Sequence, residues 1–127
     1  MSLFENFTPF NFEEGNPTVS ITKNGVTFNR AAVLKLNYPS HVILLINEDD
    51  KKIAIKVCNE NDDNSASFYK KKDANIILVR WNSKDLLNTI STLMNWTLSE
   101  NGYRIEGILI KEESAIIFDL NKAKRIN

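Results

Sequence analysis

The sequence predicts an α+β fold in which antiparallel β-hairpins accompany two short-to-medium helices. Three observations predict it: β-branched residues around an Asn-Gly pair at 24–25, an alternating apolar segment at 52–57, and one helical apolar stripe at 84–95. The 127 residues fit one domain, since domains of about 100–150 residues are the most common. We therefore expect a single compact domain at 18–127, preceded by an irregular arm at 1–17.

The composition argues against several kinds of chemistry. The chain is 43% hydrophobic and 25% charged, close to an average globular protein, and it holds one Cys and one His. These counts disfavour a disulfide framework, most zinc sites and most Cys/His or Ser/His catalytic sites. We therefore predict a protein that is not an enzyme and that needs no metal ion, cofactor or small-molecule substrate.

The net charge of zero hides an asymmetry between the two halves. Residues 1–64 carry six basic and nine acidic side chains, whereas residues 65–127 carry ten basic and seven acidic ones. No apolar run approaches the roughly 20 residues of a membrane-spanning helix, and the first residues lack a secretory pattern. The unpaired Cys58 suits a reducing compartment. We expect a cytoplasmic protein without membrane association.

Four phenylalanines lie among polar residues in the arm, which shows no sustained period of a helix or a strand. They are Phe4, Phe7, Phe10 and Phe12. Four exposed rings would make an unusual apolar patch on a monomer. Two alternatives stay open: the rings pack across the domain's own core, or they contact a partner subunit in a homo-oligomer such as a dimer.

The first half of the domain begins with a hairpin and a helix. The segment at 18–28 predicts two strands with a tight turn at Asn24-Gly25, because both central positions of such a turn favour positive φ. Asn29 can cap a helix at 30–36 with its side-chain oxygen. The helix should end before Pro39, since the residue before a proline is disfavoured in helical conformation.

A second hairpin follows, with strands at 41–46 and 52–57 and an acidic turn between them. The second strand alternates, so Ile53, Ile55 and Val57 face one way. The first strand is apolar at every position from 42 to 46, a pattern typical of a strand that is buried on both faces.

A polar linker at 59–74 leads into the second half. That half predicts a strand at 75–81, a helix at 84–95 capped by Asn82 or Ser83, and a hairpin with strands at 103–110 and 115–120. A basic tail with Lys122, Lys124 and Arg125 closes the chain.

The order of strand, cap, helix and hairpin therefore occurs twice, at 18–58 and at 75–120. Val26-Thr-Phe-Asn29 aligns with Val79-Arg-Trp-Asn82 at an offset of 53 residues. These agreements predict a duplicated β-α-β-β unit that forms a barrel-like or swapped-hairpin core.

The segment at 26–36, Val-Thr-Phe-Asn-Arg-Ala-Ala-Val-Leu-Lys-Leu, is followed by an apolar strand, an acidic turn and a second strand at 53–57. This arrangement resembles the swapped-hairpin domains of AbrB-type transcription factors, and its two copies resemble the MraZ family. The resemblance covers about residues 21–58 and extends to 76–120. It implies a DNA-binding regulator in which hairpins interleave between chains or between repeats.

Basic side chains near the predicted turns and helix starts are the candidates for contacts with phosphates. They are Lys23, Arg30, Lys70, Lys71, Lys72, Arg80 and Lys84. Trp81 and Trp96 can stack on bases, although such residues are more often core anchors. The neutral charge favours an alternative: an oligomeric protein-interaction module without nucleic-acid binding, for example an accessory protein of a phage or mobile element.

Overall fold

The computed structural model describes residues 3–8, 15–71 and 77–126. These residues form nine strands and two α-helices, together with two one-turn 3-10 helices at Lys111–Glu113 and Leu120–Lys122. In chain order the elements are β1 (Thr18–Thr22), β2 (Gly25–Phe28), α1 (Arg30–Lys35), β3 (His41–Asn47), β4 (Lys52–Val57), β5 (Ser65–Ser67), β6 (Val79–Trp81), α2 (Lys84–Met94), β7 (Gly102–Ile110), β8 (Ala115–Asp119) and β9 (Lys124–Ile126). The predicted α+β composition is confirmed.

The paired strands of the described chain are all antiparallel and belong to one sheet. Their order is β5-β3-β4-β8-β7-β1-β2-β6, and β9 pairs with the first residues of β7. The sheet curls into a half-barrel. Its two edge strands are bridged by a side chain, since the indole Nε1 of Trp81 in β6 donates a hydrogen bond of 2.9 Å to the carbonyl oxygen of Ser67 in β5.

The inner face of the half-barrel is apolar because alternate residues of each strand point inward. Fully buried strand residues from both halves meet there, among them Ile21, Phe28 and Phe118. The helices add Val33 from α1 and Ile90 from α2 to the same core. Burial of one such side chain contributes roughly 1.5–3 kcal/mol, so this shared core is the main source of stability.

Asn29 fixes the start of α1, as its predicted role as a cap requires. Its Oδ1 accepts hydrogen bonds from the backbone N–H of Ala32 at 3.1 Å and of Thr18 at 3.0 Å. Its Nδ2 donates to the carbonyl oxygen of Asn16 at 2.9 Å. One side chain therefore joins the helix to the beginning of β1.

The β1–β2 hairpin is confirmed, but its turn lies one residue earlier than predicted. Thr22 pairs with Gly25, so Lys23 and Asn24 form the turn. Gly25 has a φ of 143°, and a Cβ at this position would lie 2.6 Å from the carbonyl oxygen of Trp81. The glycine is required by the close approach of β6 and by its own backbone angle, not by a turn with two left-handed residues.

Both helices begin where the sequence predicts. Helix α1 ends one residue early, because Asn37 and Tyr38 adopt left-handed conformations with φ of 60° and 54°. Helix α2 is capped by the Ser83 side chain, which accepts from the N–H of Leu86, and it ends at the left-handed Asn95.

The prediction that β3 is buried on both faces is wrong. Val42 is fully buried, but Leu45 and Ile46 are 49% and 37% exposed. Leu45 pairs with Ala54 and faces away from the core, where no element of the described chain covers it. Two short strands lie in segments for which the sequence predicts no strand: β5 in the polar linker and β9 in the basic tail.

Candidate nucleic-acid interface

A row of cationic and hydroxyl side chains crosses the outer face of β9, β7, β1, β2 and β6. The strand register pairs Lys124 with Arg104, Arg104 with Ser20, Ser20 with Thr27, and Thr27 with Arg80. Directly paired residues of antiparallel strands point to the same face of the sheet. Their neighbours along β1 and β2 are buried inside, so these five residues point outward. We call them the basic row.

The spacing of the strands sets the dimensions of the basic row. Adjacent strands lie about 4.8 Å apart, so Arg104 and Arg80 are separated by roughly 14 Å, and the whole row extends over roughly 19 Å. Two cations therefore stand at one end and one cation at the other, with two hydroxyl groups between them.

The cations of the basic row have no acidic partner within the described residues, where the ion pair closer than 4 Å joins Lys56 and Glu113 instead. Arg104 and Lys124 stand directly opposite each other, an arrangement of like charges that destabilises a strand pair. Arg80 donates from Nε to the Thr27 hydroxyl at 3.1 Å, which orients the guanidinium and leaves its remaining N–H groups available. A bound anion would relieve this repulsion.

A depression of about 430 Å³ lies at the end of the basic row that contains Arg104 and Lys124. Lys122 and Arg125 also line it, and Glu106 is the one carboxylate among its lining residues. Four cations around one carboxylate give this part of the surface a positive potential, which attracts anions.

The structure brings some of the residues predicted from the sequence together and separates others. Arg80 belongs to the basic row and shares a groove of about 300 Å³ with Lys70. Lys23 and Lys84 line another groove of about 300 Å³ beside α2. Arg30 begins α1, beyond the opposite end of β2 from Lys23.

Two further candidates stand outside these groups. Lys71 is exposed on the connection towards β6, and Lys72 lies outside the described residues. The sequence indicates Lys124 only as part of a basic tail, and Arg104 has no local signal that marks it as a phosphate contact. The excess of basic residues in the second half was the available signal, but only the pairing of β9 with β7 aligns these two side chains.

A groove of about 620 Å³ lies between the edge strands β5 and β6, and we call it the seam groove. Its lining residues include apolar, amide and hydroxyl side chains and one arginine, and none of them is a carboxylate. The lining residues are Leu44, Asn64, Ala66, Ser67, Arg80, Trp81, Asn82, Ser83 and Leu86. Trp81 is held in place by its rings' contacts with Phe28 and Phe68, at centroid distances of 5.1 and 6.0 Å.

The other part of the outer face carries an apolar row. Leu45 pairs with Ala54, Ala54 with Ile117, and Ile117 with Ile108, across β3, β4, β8 and β7. Of these four residues, which we call the apolar row, Leu45 is 49%, Ile117 37% and Ile108 65% exposed.

The arm contributes a smaller exposed aromatic pair. Phe4 and Phe7 are 68% and 71% exposed, and their rings meet edge to face with centroids 5.6 Å apart. Phe10 and Phe12 lie outside the described residues. The contact of these rings with a partner subunit stays a prediction.

The remaining observations concern the cysteine thiol, groups of possible metal ligands and the character of the helices. Burial and the nearby Asp62 carboxylate raise the pKa of the Cys58 thiol, which disfavours the thiolate that a nucleophile or metal ligand needs. Within residues 3–8, 15–71 and 77–126, no three His, Cys, Asp or Glu side chains are grouped to hold a metal ion. In the same residues, neither helix has the length and apolar character needed to cross a membrane.

No protein-family model matches the chain, and no curated protein and no solved structure matches it.

Proposed function

We propose that the protein is a non-catalytic DNA-binding regulator that contacts the phosphate backbone through the basic row. One observation carries the proposal: three cations and two hydroxyl groups lie in a single row on an exposed sheet face, and no carboxylate of the described chain pairs with these cations. Arg, Lys, Ser and Thr side chains are the groups that proteins use to bind phosphate oxygens.

The dimensions of the basic row suit a duplex. The roughly 14 Å between Arg104 and Arg80 is close to the width of about 12 Å of the DNA major groove. The two ends of the row can therefore reach phosphates of opposite strands, with Ser20 and Thr27 facing the groove between them. Such contacts position a protein on DNA without reading its bases.

The zero net charge limits the number of phosphate contacts and hence the expected affinity. Three contacts release enough counterions for a slope of about −2.7 in a plot of log affinity against log salt concentration. Affinity should then fall roughly 40-fold between 50 and 200 mM salt. This dependence is modest beside that of a strongly basic DNA-binding protein.

The strand order supports the AbrB-like topology that is part of this proposal. Exchange of β1, β2, β3 and β4 with β5, β6, β7 and β8 reproduces every strand pair on this path except β1–β2, because β2 pairs with β6, β4 with β8, β1 with β7 and β3 with β5, whereas β5 and β6 form no ladder within the described residues. Thr27 pairs with Arg80, at the same offset of 53 residues that aligns the two halves in sequence. The hairpin of each half lies next to strands of the other, as interleaved repeats require.

The test is a titration of duplex DNA at 50 and 200 mM salt with three proteins. The wild type should show the salt slope above, and the variant Arg104→Gln/Lys124→Gln should lose affinity and flatten the slope by about two. The control Lys51→Gln/Lys111→Gln removes two exposed cations on turns away from the basic row. Absence of binding at 50 mM, or an equal loss in the control, would refute the proposal.

A second candidate function is favoured by the apolar row. Exposed apolar side chains in line across four strands are typical of a surface that another protein covers, which suits an oligomeric interaction module without nucleic-acid binding. Light scattering tests the oligomer, and the DNA titration separates the two functions: if this candidate is right, the wild type should be an oligomer, Ile108→Lys a monomer, and neither should bind DNA. A monomeric wild type would exclude a homo-oligomer.

A further inference from the structure

The seam between β5 and β6 differs from the equivalent position in the other half of the sheet. There, β1 and β2 are joined by a backbone ladder of four residue pairs. Between β5 and β6, within the described residues, the link is the Trp81 side chain donating to the Ser67 carbonyl oxygen. The seam groove lies beside this link and is lined by residues of both edge strands.

The chemistry of the seam groove suits a nucleobase. The indole of Trp81 and the side chains of Leu44 and Leu86 supply apolar contact for a flat ring. Asn64 and Asn82 carry amide groups that both donate and accept hydrogen bonds, as the edges of bases require. No lining carboxylate would repel the phosphate that accompanies the base.

Arg80 connects the seam groove to the basic row, since it forms the last position of the row and also lines the groove. A nucleic-acid strand with a phosphate on Arg80, at this end of the row, therefore lies beside the groove. A base can enter the groove only if it is unstacked, because a base inside a duplex is stacked and paired.

We propose that the seam groove takes one unstacked nucleobase of a single-stranded DNA segment, with the adjoining phosphate on Arg80. The inference rests on the proposed function, because the basic row must hold the strand. A free nucleotide carries the same base and phosphate groups as a nucleotide of a DNA strand, so the experiment compares these two ligands.

The experiment follows the tryptophan fluorescence of the Trp96→Phe variant, in which Trp81 is the remaining tryptophan and Phe keeps the ring contact with Tyr103. The probes are a ten-residue oligothymidylate, a hairpin duplex with the same number of phosphates, and free thymidine monophosphate. The oligothymidylate should quench Trp81 and bind about 5- to 150-fold more tightly than the duplex, the range expected for stacking of one base on an aromatic ring.

Two near-isosteric variants place a negative charge in the seam groove without changing the shape of its wall: Asn64→Asp and Asn82→Asp. Each should weaken the oligothymidylate at least fivefold and leave duplex binding within twofold. Asn59→Asp introduces the same charge at the start of the loop before β5 but outside the groove lining, and it should change neither affinity.

The outcomes distinguish a failure of the seam-groove inference from a failure of the proposed function. Equal binding of both DNA forms, lost in Arg104→Gln/Lys124→Gln but not in Asn64→Asp or Asn82→Asp, overturns the seam-groove inference and leaves the proposed function intact. Quenching by thymidine monophosphate as tight as that by oligothymidylate shows a free-nucleotide site and overturns the role of the strand. Absence of binding to either DNA at 50 mM salt overturns the proposed function and this inference with it.

Discussion

The outer face of the sheet is divided into two regions with opposite chemistry, while the buried residues of its inner face are all apolar. The basic row covers β9, β7, β1, β2 and β6, and the apolar row covers β3, β4, β8 and β7. Strand β7 belongs to both, with Arg104 in one row and Ile108 four residues later in the other. Burial in the core requires apolar residues only at the inward positions of each strand. The outward positions can therefore be basic in one region and apolar in the other.

The two regions also differ in whether their cations are paired with a carboxylate. In the apolar region, Lys56 donates to Glu113 at 2.8 Å and is thereby neutralised. In the basic region, Arg104 faces Lys124, and neither has an acidic partner among the residues described. Repulsion between like charges that is retained within a fold costs stability, and a bound anion would offset this cost.

The largest predicted effect is the difference in stability loss between an inward-facing and an outward-facing residue of β8. Phe118 is fully buried and its neighbour Ile117 is 37% exposed, so they report opposite sides of one strand. Phe118→Ala should lower the free energy of unfolding by about 3–5 kcal/mol, the cost of removing a buried aromatic ring and leaving a cavity. Ile117→Thr should change it by less than about 1 kcal/mol, because Thr keeps the β-branched shape on a partly solvated surface. Urea denaturation measures both, and similar losses in the two variants would show that the outer face is packed after all.

A smaller effect tests whether the basic row is kept for binding at the expense of stability. Lys124→Glu converts a repulsive cross-strand pair with Arg104 into an attractive one, and we expect a gain of up to about 0.5 kcal/mol because the pair is solvent-exposed. The same variant should weaken DNA binding. Lys111→Glu makes the same charge change on the β7–β8 connection and should leave DNA binding almost unchanged. Lower stability in Lys124→Glu, or undiminished affinity for DNA, would count against a functional role for the row.

Elements with strong local signals were predictable from the sequence. The apolar stripe and the cap fix α2, and the alternation at 52–57 fixes β4, because both patterns depend on residues close together in the chain. Strands β5 and β9 have three residues each and form only by pairing with β3 and β7, so their own residues carry little signal.

The candidate site was predictable only in part, for a related reason. Arg80 was identified as a basic residue beside a helix start, but its alignment with Thr27, Ser20 and Arg104 depends on the register of strands distant in sequence. Leu45 is likewise exposed because no element of the described chain packs over it, and the local sequence does not indicate this. A run of apolar residues indicates a strand, but it does not indicate whether a partner for the second face is part of the same chain.

The smallest predicted effect concerns the ion pair that neutralises the apolar region. The hydrogen bond from Lys56, and then its positive charge, hold the pKa of the Glu113 carboxyl below its ordinary value. A carboxyl whose pKa is lower in the folded state adds stability above its unfolded pKa of about 4.3, and this stability is lost as the pH falls through the folded pKa. Glu113→Gln should therefore be slightly less stable than the wild type at pH 7, and the two should converge near pH 3. Both side chains are largely solvated, at 43% and 61% exposure, so the difference should also shrink in high salt. Urea midpoints at the two pH values measure it, with Glu112→Gln as the control next to it. If the difference persists near pH 3, Glu113 stabilises the turn by something other than its charge, and Lys56 is then not neutralised in the way that the contrast with the basic row requires.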